Sequence, residues 1–245
     1  MPKLSLGEIF SVSRQSVHPL ILSPFLVPTI FYILSTSYLF QYLGTNMILF
    51  QTGDAILSFV YRWLIFILST LLLYSILMIF SFNLSSILLR DFATIGKKNY
   101  VNSIREAYSK IISVFLVNIM ALIIFITGIL FYAVHPLLIL MGFFLAPFLV
   151  FVSPSIIIDN LSPFKAIKNS LILSLHYTFP SFVLFIFSFI LIVAIPIITS
   201  LALYFLFSAE ILGSFIIYGL PILEMVFASY ISILLTVSYL NYRGY

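Results

Sequence analysis

The sequence predicts an all-α integral membrane protein: six transmembrane helices paired as three hairpins, each pair preceded by an interfacial amphipathic helix on the cytoplasmic side. Three observations carry this expectation. The 245-residue chain is 63% hydrophobic and 7% charged, with a mean hydropathy of +1.25. That is more apolar surface than a soluble fold can hide from water. Residues 111–158 contain no Asp, Glu, Lys or Arg at all. Finally, once the apolar runs are threaded through a bilayer, ten of the 11 Lys and Arg residues fall on one side of it.

A hydrocarbon core about 30 Å thick takes roughly 20 helical residues to cross. Six runs meet that length: about 19–42, 60–88, 113–134, 137–158, 179–207 and 211–239. They are apolar on every face rather than alternating, so helices are expected and a β-barrel is not. Lys3 and Arg14 precede the first run. Arg90, Lys97, Lys98, Arg105 and Lys110 lie between the second and third, Lys165 and Lys168 between the fourth and fifth, and Arg243 follows the sixth. The other connections hold Asp54, His135 and Glu210 but no Lys or Arg, with Arg62 the exception just inside the second run. By the positive-inside rule both termini face the cytoplasm of a multi-pass cell-membrane protein. The sequons at Asn83 and Asn160 then fall at cytoplasmic span ends and should stay unglycosylated.

Composition closes off several function classes. A net charge of +4 is spread in ones and twos beside apolar runs, the pattern of a topology signal, so no nucleic-acid partner is expected. With no cysteine there are neither disulfides nor thiolate metal sites. The first apolar run is too long for a signal-peptide core and should remain in the mature protein.

Ahead of each span pair stands a short segment with a helix-start pattern, at about 5–17, 103–112 and 163–175. Ser5-Leu6-Gly7-Glu8 and Ser103-Ile104-Arg105-Glu106 fit a capping box, while Ser162-Pro163 places an N-cap serine before a first-turn proline. Aligned on those serines, Ile9-Phe10, Ala107-Tyr108 and Ala166-Ile167 correspond, which suggests a unit repeated three times. Such helices would lie at the headgroup level with basic side chains toward anionic lipid. The alternative is that they are the extensions of long, tilted spans.

Two patterns carry a family resemblance. One is Pro154-Ser155-Ile156-Ile157-Ile158-Asp159-Asn160 followed by Ser162-Pro163-Phe164-Lys165-Ala166-Ile167-Lys168-Asn169-Ser170. The other is the closing Tyr239-Leu240-Asn241-Tyr242-Arg243. Together they resemble a widespread family of uncharacterised six-span membrane proteins of bacteria and archaea. One branch of that family serves as the membrane domain of glycerophosphodiester phosphodiesterases. The resemblance implies an integral membrane domain; the catalytic domain of the fused branch is absent, so it implies no phosphodiesterase activity.

Motifs for zinc hydrolysis, a nucleophile elbow or a phosphate-binding loop are missing, and His18, His135 and His176 have no ligand spacing. No enzyme activity, cofactor or metal is therefore expected. The residues that stand out are charges. Arg14, Lys97, Lys98, Arg105, Lys110, Lys165 and Lys168 are candidates for contact with lipid or a partner protein. Glu224 follows Pro221 within the sixth span, where a carboxylate is costly and points to function by default. If spans two and six are neighbours, Arg62 and Glu224 could form an intramembrane polar pair. Glu224 could equally line a polar cavity, stay protonated, or sit shallower. Two functions follow: a membrane-organising or accessory subunit that binds lipids, a protein partner or its own copies, and, as the alternative, a small transporter or channel subunit with its polar site near Glu224.

Overall fold

The computed structural model describes residues 3–46, 53–95, 100–132, 145–206 and 209–244, and every regular element among them is helical. In chain order these are α1 (Leu6–Gln15), α2 (Pro19–Leu22), α3 (Leu26–Asn46), α4 (Gly53–Ile95), α5 (Tyr100–Tyr132), α6 (Val152–Asp159), α7 (Pro163–His176), α8 (Thr178–Phe189), α9 (Ile195–Leu206), α10 (Ala209–Ser214) and α11 (Leu220–Arg243). Short 3-10 or π turns join several of them. Among the described residues, four helical stretches are long and apolar enough to cross a bilayer: Pro19–Leu39, Leu64–Ala93, Thr178–Phe205 and Ile211–Arg243. Of the third expected span, residues 113–132 are helical within α5 and the last two lie outside the described residues. Of the fourth, residues 137–144 lie outside them, and the remainder forms the shorter apolar helix Ala146–Asp159.

The three expected helix starts behave differently. At α1 the capping box is present: Ser5 Oγ accepts from the Glu8 backbone N–H, and the Glu8 carboxylate accepts from the Ser5 N–H at 2.7 Å. At α7, Ser162 is the N-cap and Pro163 the first helical residue, but the serine hydroxyl makes no capping bond. The second start is corrected. Ser103 and Glu106 do not stand at a helix start, because α5 is already helical from Tyr100 and runs unbroken to Tyr132. The segment 103–112 is the first part of that long helix rather than a separate one. The aligned residues Ile9, Ala107 and Ala166 nonetheless share a fate, all three being fully buried.

Prolines explain where the long helices break. A proline offers no N–H to the carbonyl four residues back, and its ring crowds that carbonyl. Pro196 and Pro221 each stand two residues after the end of a wider π turn, Ile190–Ala194 and Phe215–Gly219. The turn before each proline opens by one residue, which takes up the missing backbone donor. Gly219 closes the second of these turns, where a Cβ would run into the Phe215 ring. Pro24 and Pro147 sit instead in tight 3-10 turns, Ser23–Phe25 and Ala146–Leu149. Both belong to the same four-residue string, Pro-Phe-Leu-Val, at 24–27 and 147–150.

Carbonyls freed in these turns would be expensive beside lipid. Serines from neighbouring helices satisfy them. Ser81 of α4 donates to the Pro24 carbonyl at 2.7 Å, while Ser170 and Ser174 of α7 donate to the Phe148 and Pro147 carbonyls at 2.7 and 3.3 Å. Ser170 also accepts from the Phe151 N–H. The α4–α11 contact is made of small polar residues in the same manner. Thr236 donates to Ser86, Ser86 lies 3.2 Å from Ser232, and Ser232 reaches the Phe82 carbonyl. Small side chains let two helices approach closely where lipid tails leave no hydrophobic force to drive them together.

Helix α4 is central, packed against α3, α5 and α11. The buried core lies toward one end. On α4 it runs from Ile79 to Leu89 and on α11 from Ala228 to Tyr242, joined by Ile9, Ala107, Val114, Phe151, Ile156, Ile157 and Leu184. Farther along, Leu64, Leu68, Leu71 and Leu72 of α4 and Ile197, Ile198, Leu201 and Phe205 of α9 are exposed. Water would not tolerate that surface; a hydrocarbon layer covers it without cost.

Candidate functional site

Residues 3–4 and 241–242 lie at the core-rich end of the bundle and are fastened there. The Leu4 N–H donates to Asn241 Oδ1 at 2.9 Å, and Asn241 returns a bond to the Leu4 carbonyl. Lys3 donates to the Tyr177 hydroxyl and stands 4.9 Å from the centre of that ring. Tyr177, at the joint between α7 and α8, stacks on Tyr242 with centroids 4.2 Å apart.

The α6–α7 joint is tied to the same end. Asn160 ends α6 with a left-handed backbone (φ 54°), a conformation that Asn tolerates better than most residues. Beside it Asp159 accepts from the Tyr239 hydroxyl at 2.7 Å and from Arg243 at 2.6 and 2.9 Å. Asn169 bridges the Ser155 and Tyr239 hydroxyls at 3.0 and 2.9 Å. The segments 154–170 and 239–243 thus meet in one polar cluster. The Asp159 side chain is 6% exposed and that of Arg243 40%, so solvent screens only the arginine side of the pair. Asp159→Asn keeps an acceptor for Tyr239 but removes the charge. It should lower stability by about 1–2 kcal/mol and speed amide exchange in residues 239–244, readable by thermal melts and hydrogen-exchange mass spectrometry.

Where α4 meets α5, Arg90 holds Glu106 through two bonds of 2.8 Å and Asp91 through bonds of 2.8 and 3.0 Å. Ser103 donates to the other Asp91 oxygen. This is where the serine and glutamate of the expected capping box have gone. The Arg90 guanidinium, with lesser help from the Lys110 charge, holds the Glu106 carboxyl below its ordinary range against the opposing effect of burial. A carboxylate whose folded pKa is depressed stabilises fully above its ordinary value, about 4.3, and that contribution is lost as pH falls through the lower folded value. Melting temperature should therefore fall as pH drops below about 4.3, and Glu106→Gln should flatten that part of the curve.

Of the other charges singled out from the sequence, Arg14 on α1, Arg105 on α5 and Lys165 and Lys168 on α7 are exposed. Their outward neighbours are apolar: Val101, Tyr108 and Ile112 on α5, Phe164, Ile172 and Leu175 on α7. Lys110 is half-buried and donates to the Asn160 side chain. Lys97 and Lys98 lie outside the described residues. His18 has a local use, its Nδ1 accepting from the Leu20 N–H to cap α2. Among the described residues no three His, Asp or Glu side chains gather as metal ligands.

Far from this end, Glu224 accepts a 2.9 Å hydrogen bond from the Tyr74 hydroxyl of α4. Helix α11 is unbroken from Leu220 to Arg243, which puts Glu224 about 28 Å of helical rise from Arg243. The Tyr32 ring of α3 packs 5.4 Å from Tyr74. Between α3 and α4 a cavity of about 150 Å³ reaches Tyr74, lined also by Tyr32, Ser35, Thr36 and Thr70 among apolar residues. Spans two and six do meet here, but the Arg62 side chain lies outside the described residues. Arg62 precedes Tyr74 on α4 by about 18 Å of rise.

Tyr74 was not singled out from the sequence, and Asn169 and Tyr239 entered only as members of the segments 154–170 and 239–243, with no role of their own. As a hydrogen-bond donor to a carboxylate within the bundle, Tyr74 is not distinguished in the sequence from the other 14 tyrosines. Set against known proteins, the chain matches no family model, no curated protein and no solved structure. Its function has to be argued from the geometry.

Proposed function

We propose that this chain is a non-enzymatic, multi-pass protein of the cell membrane, a membrane-organising or accessory subunit that engages anionic lipid or a partner protein through basic cytoplasmic helices. The observation that carries this reading is the exposure of Arg14, Arg105, Lys165 and Lys168 beside outward-facing apolar residues at one end of the bundle. Each cation near an anionic surface contributes about 1 kcal/mol. In this reading there are six spans in three pairs, both termini are cytoplasmic, and the family is the six-span one named above. The test is lipid selectivity of the reconstituted protein, measured with spin-labelled phosphatidylglycerol and phosphatidylcholine. The anionic lipid should be preferred, less so in high salt and less so after neutralising the four cations. Equal partition in the unaltered protein would sink the proposal. Because the chain has no native cysteine, single cysteines at Lys97 and Asp54 can report topology with an impermeant maleimide. Labelling from opposite sides is expected.

A second reading has one observation of its own: a carboxyl group on α11 bonded to a tyrosine at the wall of a cavity. In a transporter or channel subunit Glu224 would take up a proton or a cationic substrate. Proteoliposomes should then pass protons after an acid jump, and Glu224→Gln should abolish the flux.

A further inference from the structure

At the end of the bundle where the termini meet, a surface cavity of about 550 Å³ is lined by Lys3, Ile172, Leu173, Leu175, His176, Tyr177 and Tyr242. We propose that this cavity is a binding site for the phosphate group of one anionic phospholipid, with Lys3 and His176 on the phosphate and the Ile172–Leu175 wall against the glycerol and acyl chains. The proposal rests on the lipid-binding reading above but gives it a discrete site made of other residues.

Charge is the first argument. Lys3 pairs with no carboxylate among the described residues; its neighbours are the hydroxyl and ring of Tyr177. An ammonium group held in place by neutral partners keeps its full charge for an incoming anion, and a lysine binds phosphate as a point charge. His176 adds an imidazole N–H in either protonation state. The Tyr177–Tyr242 stack, 4.2 Å between centroids and 15° from parallel, gives the cavity a rigid floor. That floor fixes the height at which Lys3 sits.

Depth is the second argument. The apolar stretch Thr178–Phe205, long enough to span a bilayer, begins directly after Tyr177. That places the break between α7 and α8 at the level where the hydrocarbon layer gives way to the headgroups that carry lipid phosphates. Apolar surface is the third. Ile172 and Leu175 are 59% and 63% exposed although they line the cavity, and Phe179 just beyond is 72% exposed. A free phosphate ion would leave that wall bare; a lipid covers it.

The test uses the full chain purified in mild detergent and titrated with phosphatidylglycerol, phosphatidylcholine and sodium phosphate, bound stoichiometry being read by native mass spectrometry. One phosphatidylglycerol should bind ahead of the rest. Lys3→Met should weaken it about fivefold, the effect of removing one cation near a lipid phosphate, and His176→Gln by a smaller factor, since the amide keeps an N–H donor. Lys165→Gln with Lys168→Gln should leave this first lipid in place. If the Lys3/His176 double variant binds as the unaltered protein does while the Lys165/Lys168 variant loses lipid, the discrete site is overturned and the broader reading survives. Sodium phosphate binding as tightly as phosphatidylglycerol, with Ile172→Ser and Leu175→Ser changing nothing, overturns the lipid assignment. No binding of any of the three by the unaltered protein overturns both readings.

Discussion

Replacing Arg90 by methionine should destabilise the protein by about 3 kcal/mol, as expected when one partner of a largely buried ion pair is removed. The guanidinium spans two carboxylates from different helices, Asp91 of α4 and Glu106 of α5, whose side chains are 13% and 29% exposed. Without it both acids face each other with no cation between them. Lysine should rescue poorly, since a single ammonium cannot reproduce the paired bonds of a planar fork. Adding Asp91→Asn and Glu106→Gln to the methionine variant should recover most of the loss, because the stranded charges are the larger part of the cost. Unfolding in detergent measures all three. A methionine variant as stable as the original would show that solvent already screens this cluster.

Tyr74→Phe should cost about 2 kcal/mol, the penalty for a charged or strongly polar group left without its hydrogen bond in a low-dielectric setting. Among the described residues Tyr74 is the only partner the structure gives Glu224. Glu224→Leu should recover stability in the phenylalanine background, since lipid and apolar neighbours receive a leucine at no polar cost. A double-mutant cycle across the pair then isolates the coupling, expected at about 1–2 kcal/mol. Additive losses would mean that the 2.9 Å contact contributes nothing and that Glu224 draws its solvation elsewhere.

The all-helical class was legible because apolar run length is a local property that lipid reads directly. Four of the expected stretches are long apolar helices, and α1 begins at its capping box because Ser5 and Glu8 need only each other. Ser103 and Glu106 carry the same local pattern, yet Arg90 and Asp91 outcompete it from the preceding helix. No short window of sequence contains that competition. Glu224 stood out as a carboxylate among apolar residues, and charge complementarity pointed to Arg62. Its hydrogen-bond donor is a tyrosine set by the register of α4 against α11, in a chain with 15 tyrosines. The segments 154–170 and 239–243 were visible as motifs, but not that Asp159 would take Tyr239 and Arg243 as partners. The repeated Pro-Phe-Leu-Val string was there to be read. It marks both serine-capped breaks, and its meaning appears only once Ser81, Ser170 and Ser174 are seen facing the carbonyls.

The clasp between Leu4 and Asn241 joins residues 237 positions apart. On a ribosome α1 emerges well before α11 and waits for it before its edge is closed. Until then its buried face, with Ile9 and Ser13, is open to chaperones and proteases. A copy that stops short of α11 lacks both the Asn241 clasp and the helix that covers much of that face.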